Sequence, residues 1–126
     1  MIRTKMFIKY ARMHLQEAEV AIQEESFQKA HKKCRDCAIS LVKAVKEAHA
    51  RCSLELDPID MKALGEILED LMDSRERAQQ FINTLQHILM ESDMESPSRI
   101  DAEKLLSLTG QAFQEIHDLF SPPGYS

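Results

Sequence analysis

The chain has 126 residues, the length of a single domain and enough to bury a hydrophobic core without disulfide bonds. Its 16 Lys and Arg against 21 Asp and Glu give a formal net charge of -5, which argues against wholesale wrapping of nucleic acid by a basic surface. Three Gly, four Pro and no Trp, with abundant Leu, Ala, Glu and Gln, favour helix over sheet, so we expect an all-α fold.

The first half of the chain predicts a helical hairpin. One helix is expected over about residues 3–23, with an inward face formed by Ala11, Leu15, Ala18 and Ile22. After the turn at residues 24–26, a second helix capped by Ser26 is expected to run to about Arg51. Its inward stripe is rich in small side chains and consists of Phe27, Ala30, Cys34, Ala38 or Cys37, Leu41, Val45, Ala48 and Cys52. Small side chains allow the two helices to approach each other closely, and the short turn between them makes the helices antiparallel.

The second half predicts two further helices. A third helix is expected to start at Asp57–Pro58 and to reach Met90, with a bend at Asp73–Ser74 left open. Arg75 occupies an inward-phase position on its apolar stripe. After a loop at residues 92–96, Ser96–Pro97 or a capping pattern from Ser98 to Asp101 starts a last helix that ends at Phe120. Short connections predict an up-down-up-down four-helix bundle over residues 1–120, followed by a tail at residues 121–126.

The first hairpin resembles the HEPN domain, a small prokaryotic helical module. The resemblance lies in an Ala-x3-Leu-x2-Ala helix, an acidic turn followed by an aromatic residue, and then an Ala and a Lys-Ala pair, which are Ala11, Leu15, Ala18, Glu24, Glu25, Phe27, Ala30, Lys43 and Ala44. Residues 64–68, Leu71 and residues 74–78 are similar to the stretch that ends in Arg-x-x-Ala-Asp-Tyr in small stand-alone HEPN proteins, with Gln79 and Gln80 replacing Asp-Tyr. The likeness extends over about residues 9–120. Arg35–Asp36 stands where family members often carry a Tyr pair or a Gln pair.

The resemblance implies a non-catalytic module that forms a homodimer and binds a separately encoded minimal nucleotidyltransferase, as in a toxin-antitoxin pair. Two alternatives stay open: a degenerate or trans-assembled HEPN ribonuclease that uses Arg75, and a structural homodimer with an unknown ligand. Active HEPN nucleases carry an Arg, four to six further residues and then a His. No Arg of this chain has a His at that spacing, and the nearest candidate after Arg77 is His87. We therefore predict no catalytic residues.

Charge segregation marks the candidate binding surface. The second helix presents Lys29, Lys32, Lys33, Arg35, Lys43 and Lys46, whereas the third presents Glu66, Glu69, Asp70, Asp73 and Glu76. One interpretation is that these are two solvent-exposed helix faces whose charges differ without a function. The other is that they form a bipolar surface that binds an acidic or nucleotide-bearing partner, including RNA. The candidate ligand- or partner-binding residues are Lys32, Lys33, Arg35 and Arg75. For Arg75, a structural ion pair or an exposed groove position is the alternative.

The three cysteines lie between Cys34 and Cys52 on one predicted helix, which suits a reducing cytoplasm. Cys34 and Cys37 have redox-motif spacing, and His31 adds a third soft ligand. These three side chains fan around the helix by about 60° per step, however, whereas zinc prefers four convergent ligands. We interpret the cysteines as small buried hydrophobes and predict no metal and no cofactor. No signal peptide or membrane span is predicted.

Overall fold

The computed structural model describes residues 2–49 and 59–121. Helix accounts for 85% of these residues, which confirms the all-α class. Within them the helices are α1 (Ile2–Gln23), α2 (Phe27–Ala48), α3 (Met61–Met72), α4 (Arg75–Glu91) and α5 (Arg99–Phe120). The predicted four-helix bundle is not confirmed, because two helices occupy the span of the predicted third one.

The turn between α1 and α2 is tight and left-handed at one residue. Glu25 has φ 61°, and the N–H groups of Glu25 and Ser26 donate to the carbonyls of Ile22 and Ala21 at 3.0 and 2.8 Å. Ser26 occupies the cap position of α2, but its side chain makes no capping hydrogen bond, so its predicted capping role is wrong. The small residues at the helix contact, Ala11, Ala18, Ala30, Cys34 and Ala38, are fully buried. Close packing of the predicted hairpin follows from them.

The region predicted as one long third helix is a helical hairpin instead. Asp73 adopts a left-handed conformation with φ 50°, and the Ser74 hydroxyl accepts a hydrogen bond from the Arg77 N–H at 3.1 Å, which starts α4. A Cβ placed on Gly65 of α3 would lie 3.8 Å from Cγ1 of Ile82 in α4. These two residues are almost equally far from the turn in sequence. They meet only because α4 folds back on α3.

Hydrogen-bonded caps define the starts of α3 and α5. The Asp60 carboxylate accepts from the Ala63 N–H at 3.1 Å, whereas the cap predicted at Asp57–Pro58 lies outside the described residues. At α5, the Ser98 hydroxyl accepts from the Asp101 N–H at 3.1 Å, and the Asp101 carboxylate accepts from the Ser98 N–H at 2.9 Å. This reciprocal pair confirms the second of the two predicted starts. α2 ends at Ala48, earlier than the predicted Arg51.

The core is built around α2, which packs against each of the other helices, whereas α1 packs on α2 and α5. Its largest fully buried apolar side chains are Leu41, Val42, Val45, Leu64, Leu68, Leu85, Ile88 and Ile116. Met72 and Ile88 are also buried, whereas Leu15, which was predicted on the inward face of the first helix, is only half-buried. In the part of the chain that the structure describes, no helix has the length and apolar character needed to cross a bilayer.

Candidate functional site

A buried histidine fastens the first third of α2 to the end of α4. The Nδ1 atom of His31 lies 3.0 Å from the carbonyl oxygen of Glu91, the last residue of α4, and His31 is fully enclosed. Because a carbonyl only accepts hydrogen bonds, Nδ1 carries the proton and donates. One turn further along α2, Arg35 donates to the hydroxyl of Ser92 at 3.5 Å and lies 3.6 Å from the carboxylate of Asp93. These contacts fix the loop after α4 against α2.

A groove of about 510 Å³ runs between this loop and the exposed face of α2. Its lining residues are Gln28, Lys29, Lys32 and Arg35 on one wall and Ser92, Asp93, Met94 and Glu95 on the other. We call it the basic groove, after the three cations on the α2 wall. The facing wall carries two carboxylates, so the groove is bipolar across its width.

Lys29 and Lys32 supply the unpaired charge of the basic groove. Both side chains are exposed, and neither forms an ion pair with any residue in the described ranges 2–49 and 59–121. They are three positions apart on α2, so they lie on neighbouring turns of one helix face. Arg35 continues the row but is held by Asp93. The groove therefore offers two free cations beside one that is fixed in place.

Lys33, which the sequence groups with Lys32 and Arg35, serves a different contact. Its Nζ lies 3.0 Å from the Glu17 carboxylate of α1. The hydrogen bond from Lys33 is the main cause that holds the pKa of Glu17 below its ordinary value. Successive residues project about 100° apart around a helix, which turns Lys33 towards α1 while Lys32 faces the groove. Lys33 ties α1 to α2 and does not line the groove.

Arg75 is separate from the basic groove. It is the exposed first residue of α4, whereas the groove lies at the other end of that helix. Sixteen residues at ~1.5 Å per residue separate Arg75 from Glu91 by roughly 24 Å. The predicted inward position of Arg75 is wrong, because the turn at Asp73–Ser74 interrupts the α3 periodicity from which that position was inferred. The structure thus brings together Lys32 and Arg35 but neither Lys33 nor Arg75.

The cysteines and histidines form no reactive cluster in the described residues. Cys34 and Cys37 are fully buried, and burial raises the pKa of their thiols to about 11 and about 12. A protonated, enclosed thiol is a poor nucleophile and a poor metal ligand. Within residues 2–49 and 59–121, no three His, Cys, Asp or Glu side chains are arranged to hold a metal ion.

The Arg and His side chains on α4 are engaged separately. Arg77 donates through Nε and Nη2 to one carboxylate oxygen of Glu115 at 3.2 and 3.0 Å. Nε2 of His87 lies 3.7 Å from the carboxylate of Glu91. Ten residues of helix, roughly 15 Å, separate Arg77 from His87. A single chain therefore does not bring these two side chains to one reacting phosphate.

Lys29 and the loop wall of the groove were not among the candidate binding residues predicted from the sequence. Lys29 belongs to the basic face of the second helix, and its three-residue spacing to Lys32 was the available signal. The loop wall, from Ser92 to Glu95, was predicted only as a connection. Nothing local in that segment indicates that His31 and Arg35 hold it beside α2, since those contacts span about sixty residues of sequence.

The chain was also compared with other proteins. Comparison with protein-family models, with curated proteins and with solved structures finds no match. The resemblance to HEPN domains therefore stands on the sequence pattern alone, and the function is argued from the geometry of this chain.

Proposed function

We propose that this protein is a non-catalytic helical module that binds a mixed-charge segment of a partner protein in the basic groove, with the carboxylates of that segment on the α2 wall. The observation that carries this proposal is the pair of exposed, unpaired cations Lys29 and Lys32 beside Arg35, on a wall that His31 holds against the α4–α5 loop. The backbone of both walls is already fixed and Arg35 is already held by Ser92 and Asp93, so ordering on binding is confined mainly to the side chains of Lys29 and Lys32.

The acidic wall of the groove favours a protein partner over a nucleic acid. A phosphate backbone that neutralised Lys29 and Lys32 would also approach the carboxylates of Asp93 and Glu95, and the chain as a whole carries a net charge of -5. A protein segment with mixed charge can instead place carboxylates on the α2 wall and a cation on the loop wall. Bipolar charge thus favours a mixed-charge peptide segment.

For the identity of the partner we propose a separately encoded minimal nucleotidyltransferase, in a HEPN-like toxin-antitoxin pair. Support for this comes from the sequence resemblance, in particular the small-residue hairpin around Ala11, Ala18 and Ala30, and the stretch that ends at Ala78. Arg35 lies in the groove at the position where family members often carry a paired Tyr or Gln. In this proposal Arg35 positions the loop wall while Lys29 and Lys32 contact the partner.

The test begins with the neighbouring genes, one of which should encode a minimal nucleotidyltransferase, and continues with a calorimetric titration of that protein into this chain. The variant Lys29→Gln with Lys32→Glu removes the two charges that contact the partner, and Lys62→Glu with Lys104→Gln is its matched control, because these two exposed lysines lie outside the groove and the net charge change is equal. Charge pairs at the rim of an interface contribute up to about 1 kcal/mol each, so we expect roughly tenfold weaker binding for the groove variant. The control should bind like the wild type.

Two results would contradict the proposal. The first is no binding of the adjacent-gene partner by the wild type. The second is equal loss of affinity in the groove variant and in the control, which would show that only net charge matters. A single-stranded RNA titrated under the same conditions should give no saturable binding, and tighter binding of RNA than of the protein partner would also overturn the preference derived from the acidic wall.

A further inference from the structure

The outer face of α1 carries an apolar row that the fold does not cover. Met6, Tyr10, Met13 and Val20 are 37, 40, 46 and 49% exposed, and with Glu17 they recur in steps of four, three, four and three residues. That alternation is the spacing of a coiled-coil seam. It lies on the side of the helix opposite to the buried Ala11 and Ala18. We call these five residues the α1 stripe.

Exposed apolar residues are concentrated on this stripe. Among the residues that the structure describes, the other exposed large hydrophobic side chains are Met90 and Ile100, which are 72 and 64% exposed but stand singly on either side of the α4–α5 loop. Single exposed apolar residues are normal on protein surfaces, whereas a contiguous row on one helix indicates a contact surface. A partner surface is therefore expected to cover the α1 stripe.

The charge distribution of α1 favours a second copy of the same helix as that partner surface. The cations Arg3, Lys5, Lys9 and Arg12 all lie in its first half, whereas the acidic residues Glu17, Glu19, Glu24 and Glu25 lie in its second half and in the turn that follows. Of these charges, Lys9 and Glu17 lie next to the stripe, whereas Arg3 pairs with Glu47 and Arg12 lies over the ring of Phe113. A second copy of α1 in antiparallel orientation places Lys9 of one chain against Glu17 of the other. In parallel orientation, each of these residues would face its own like charge, at a cost in free energy.

We infer that the α1 stripe is the contact surface of a two-fold antiparallel dimer of this chain. With Met13 on the two-fold axis, Met6 is level with Val20 of the second copy, since both are seven residues from Met13. Lys9 is level with Glu17 of the second copy, since both are four residues from Met13, and it adds a second cation to the carboxylate that Lys33 already contacts. The surface is therefore self-complementary in apolar character and in charge, as a two-fold interface requires.

A shallow groove on each copy fits this register. It has a volume of about 360 Å³ and lies beside Met13, Gln16 and Val20, with Glu17 and Lys29 at its edge. In the register centred on Met13, Met6 and Tyr10 of the second copy reach the level of Val20 and Gln16. Met6 of the second copy therefore lies over the groove at the level of Val20, and Tyr10 lies over it at the level of Gln16.

This dimer differs from the one that the sequence suggested, in which two copies of Arg75 share a groove. α1 packs on α2 and α5 and makes no substantial contact with α4, so an α1 interface leaves Arg75 outside the contact. A single pair of 22-residue helices, roughly 33 Å long, gives an interface at the small end of the range for specific complexes. We expect a concentration-dependent dimer. The inference does not rest on binding in the basic groove.

Sedimentation velocity from micromolar to millimolar concentration tests the surface. The wild type should shift from monomer to dimer, and Met13→Lys with Val20→Lys should raise the dissociation constant at least tenfold. Met90→Lys with Ile100→Lys is the matched control, because it removes two exposed apolar residues elsewhere and adds the same charge. All four positions are exposed, so circular dichroism should show unchanged helix content. A wild type that stays monomeric, or a dimer that the stripe variant leaves intact, overturns the inference.

Carbodiimide cross-linking tests the orientation. This reagent joins a Lys amine directly to a carboxylate, and mixing ¹⁴N and ¹⁵N chains shows whether the two residues come from one chain or from two. A Lys9–Glu17 cross-link should be found in the dimer band and should join a ¹⁴N chain to a ¹⁵N chain, whereas the intrachain Lys33–Glu17 cross-link serves as the internal control. A dimer without this cross-link, or with one only in the monomer band, contradicts the antiparallel register.

Discussion

Leu41→Ala should be among the most destabilising core truncations, because Leu41 is fully buried on the helix that contacts all others. The change removes three carbon atoms, and about 0.8 kcal/mol per buried carbon gives roughly 2.4 kcal/mol of lost transfer free energy. Helices on several sides restrict collapse of the resulting cavity, which raises the expected loss to about 3–4 kcal/mol. The melting temperature should fall by roughly 10–15 °C for a domain of this size.

Urea denaturation followed by far-UV circular dichroism measures this loss, with Leu15→Ala as the comparison. The two residues are equivalent in the sequence pattern, but Leu15 is only half-buried, so its truncation should cost about 1 kcal/mol. The same contrast holds for the Asp substitutions: Leu41→Asp should unfold the domain, whereas Leu15→Asp should leave a destabilised fold. A smaller loss of unfolding free energy for Leu41→Ala than for Leu15→Ala would refute the assignment of the core.

Three further predictions concern a cap, the thiols and catalysis. Ser98→Ala should lower the free energy of unfolding by about 1 kcal/mol at neutral pH. Because hydrogen bonds from Ser98 lower the pKa of Asp101, the stabilisation from this pair is present above the ordinary Asp pKa and is lost as the pH falls through the lowered value. The backbone N–H of Ser98 is the main cause of this lowered pKa and is retained in Ser98→Ala, so wild type and variant should lose stability in parallel in acid denaturation curves. Cys34 and Cys37 should react with a thiol reagent only after unfolding, as peptide mapping would show; modification of both in the native protein would contradict their enclosure. The purified chain should not cleave RNA in the presence of a chelator, and cleavage that Arg75→Ala abolishes would reverse this expectation.

Local sequence signals predicted the elements that local interactions define. The α1–α2 hairpin follows from the spacing of Ala11 and Ala18 and from a short acidic turn, and the start of α5 follows from Ser98 and Asp101. The sequence left a bend at Asp73–Ser74 open but did not predict that the chain reverses there, because no Gly or Pro marks the turn. Asp tolerates the left-handed conformation better than most residues but also occurs within helices, so its presence alone does not distinguish a turn from a continuing helix.

The candidate site was predictable only in part, because its geometry depends on tertiary contacts. Helical spacing identified the basic face of α2, yet it could not separate Lys32, which lines the groove, from Lys33, which pairs with Glu17 on α1. Arg75 was assigned through a periodicity that the turn at Asp73 interrupts. The loop wall depends on the contact between His31 and Glu91, which no pattern within either segment encodes.

The measurement that tests the central claim most directly is an NMR titration of the ¹⁵N-labelled chain with the minimal nucleotidyltransferase that the proposed function expects an adjacent gene to encode. Backbone amide signals should change at Lys29, Lys32 and Arg35 and in the facing loop, residues 92–95, because these residues form the two walls of the basic groove. The acidic face of α3, residues 66–70, should stay unchanged. Changes confined to α3, or no change in the groove at saturating partner, would contradict the proposed function.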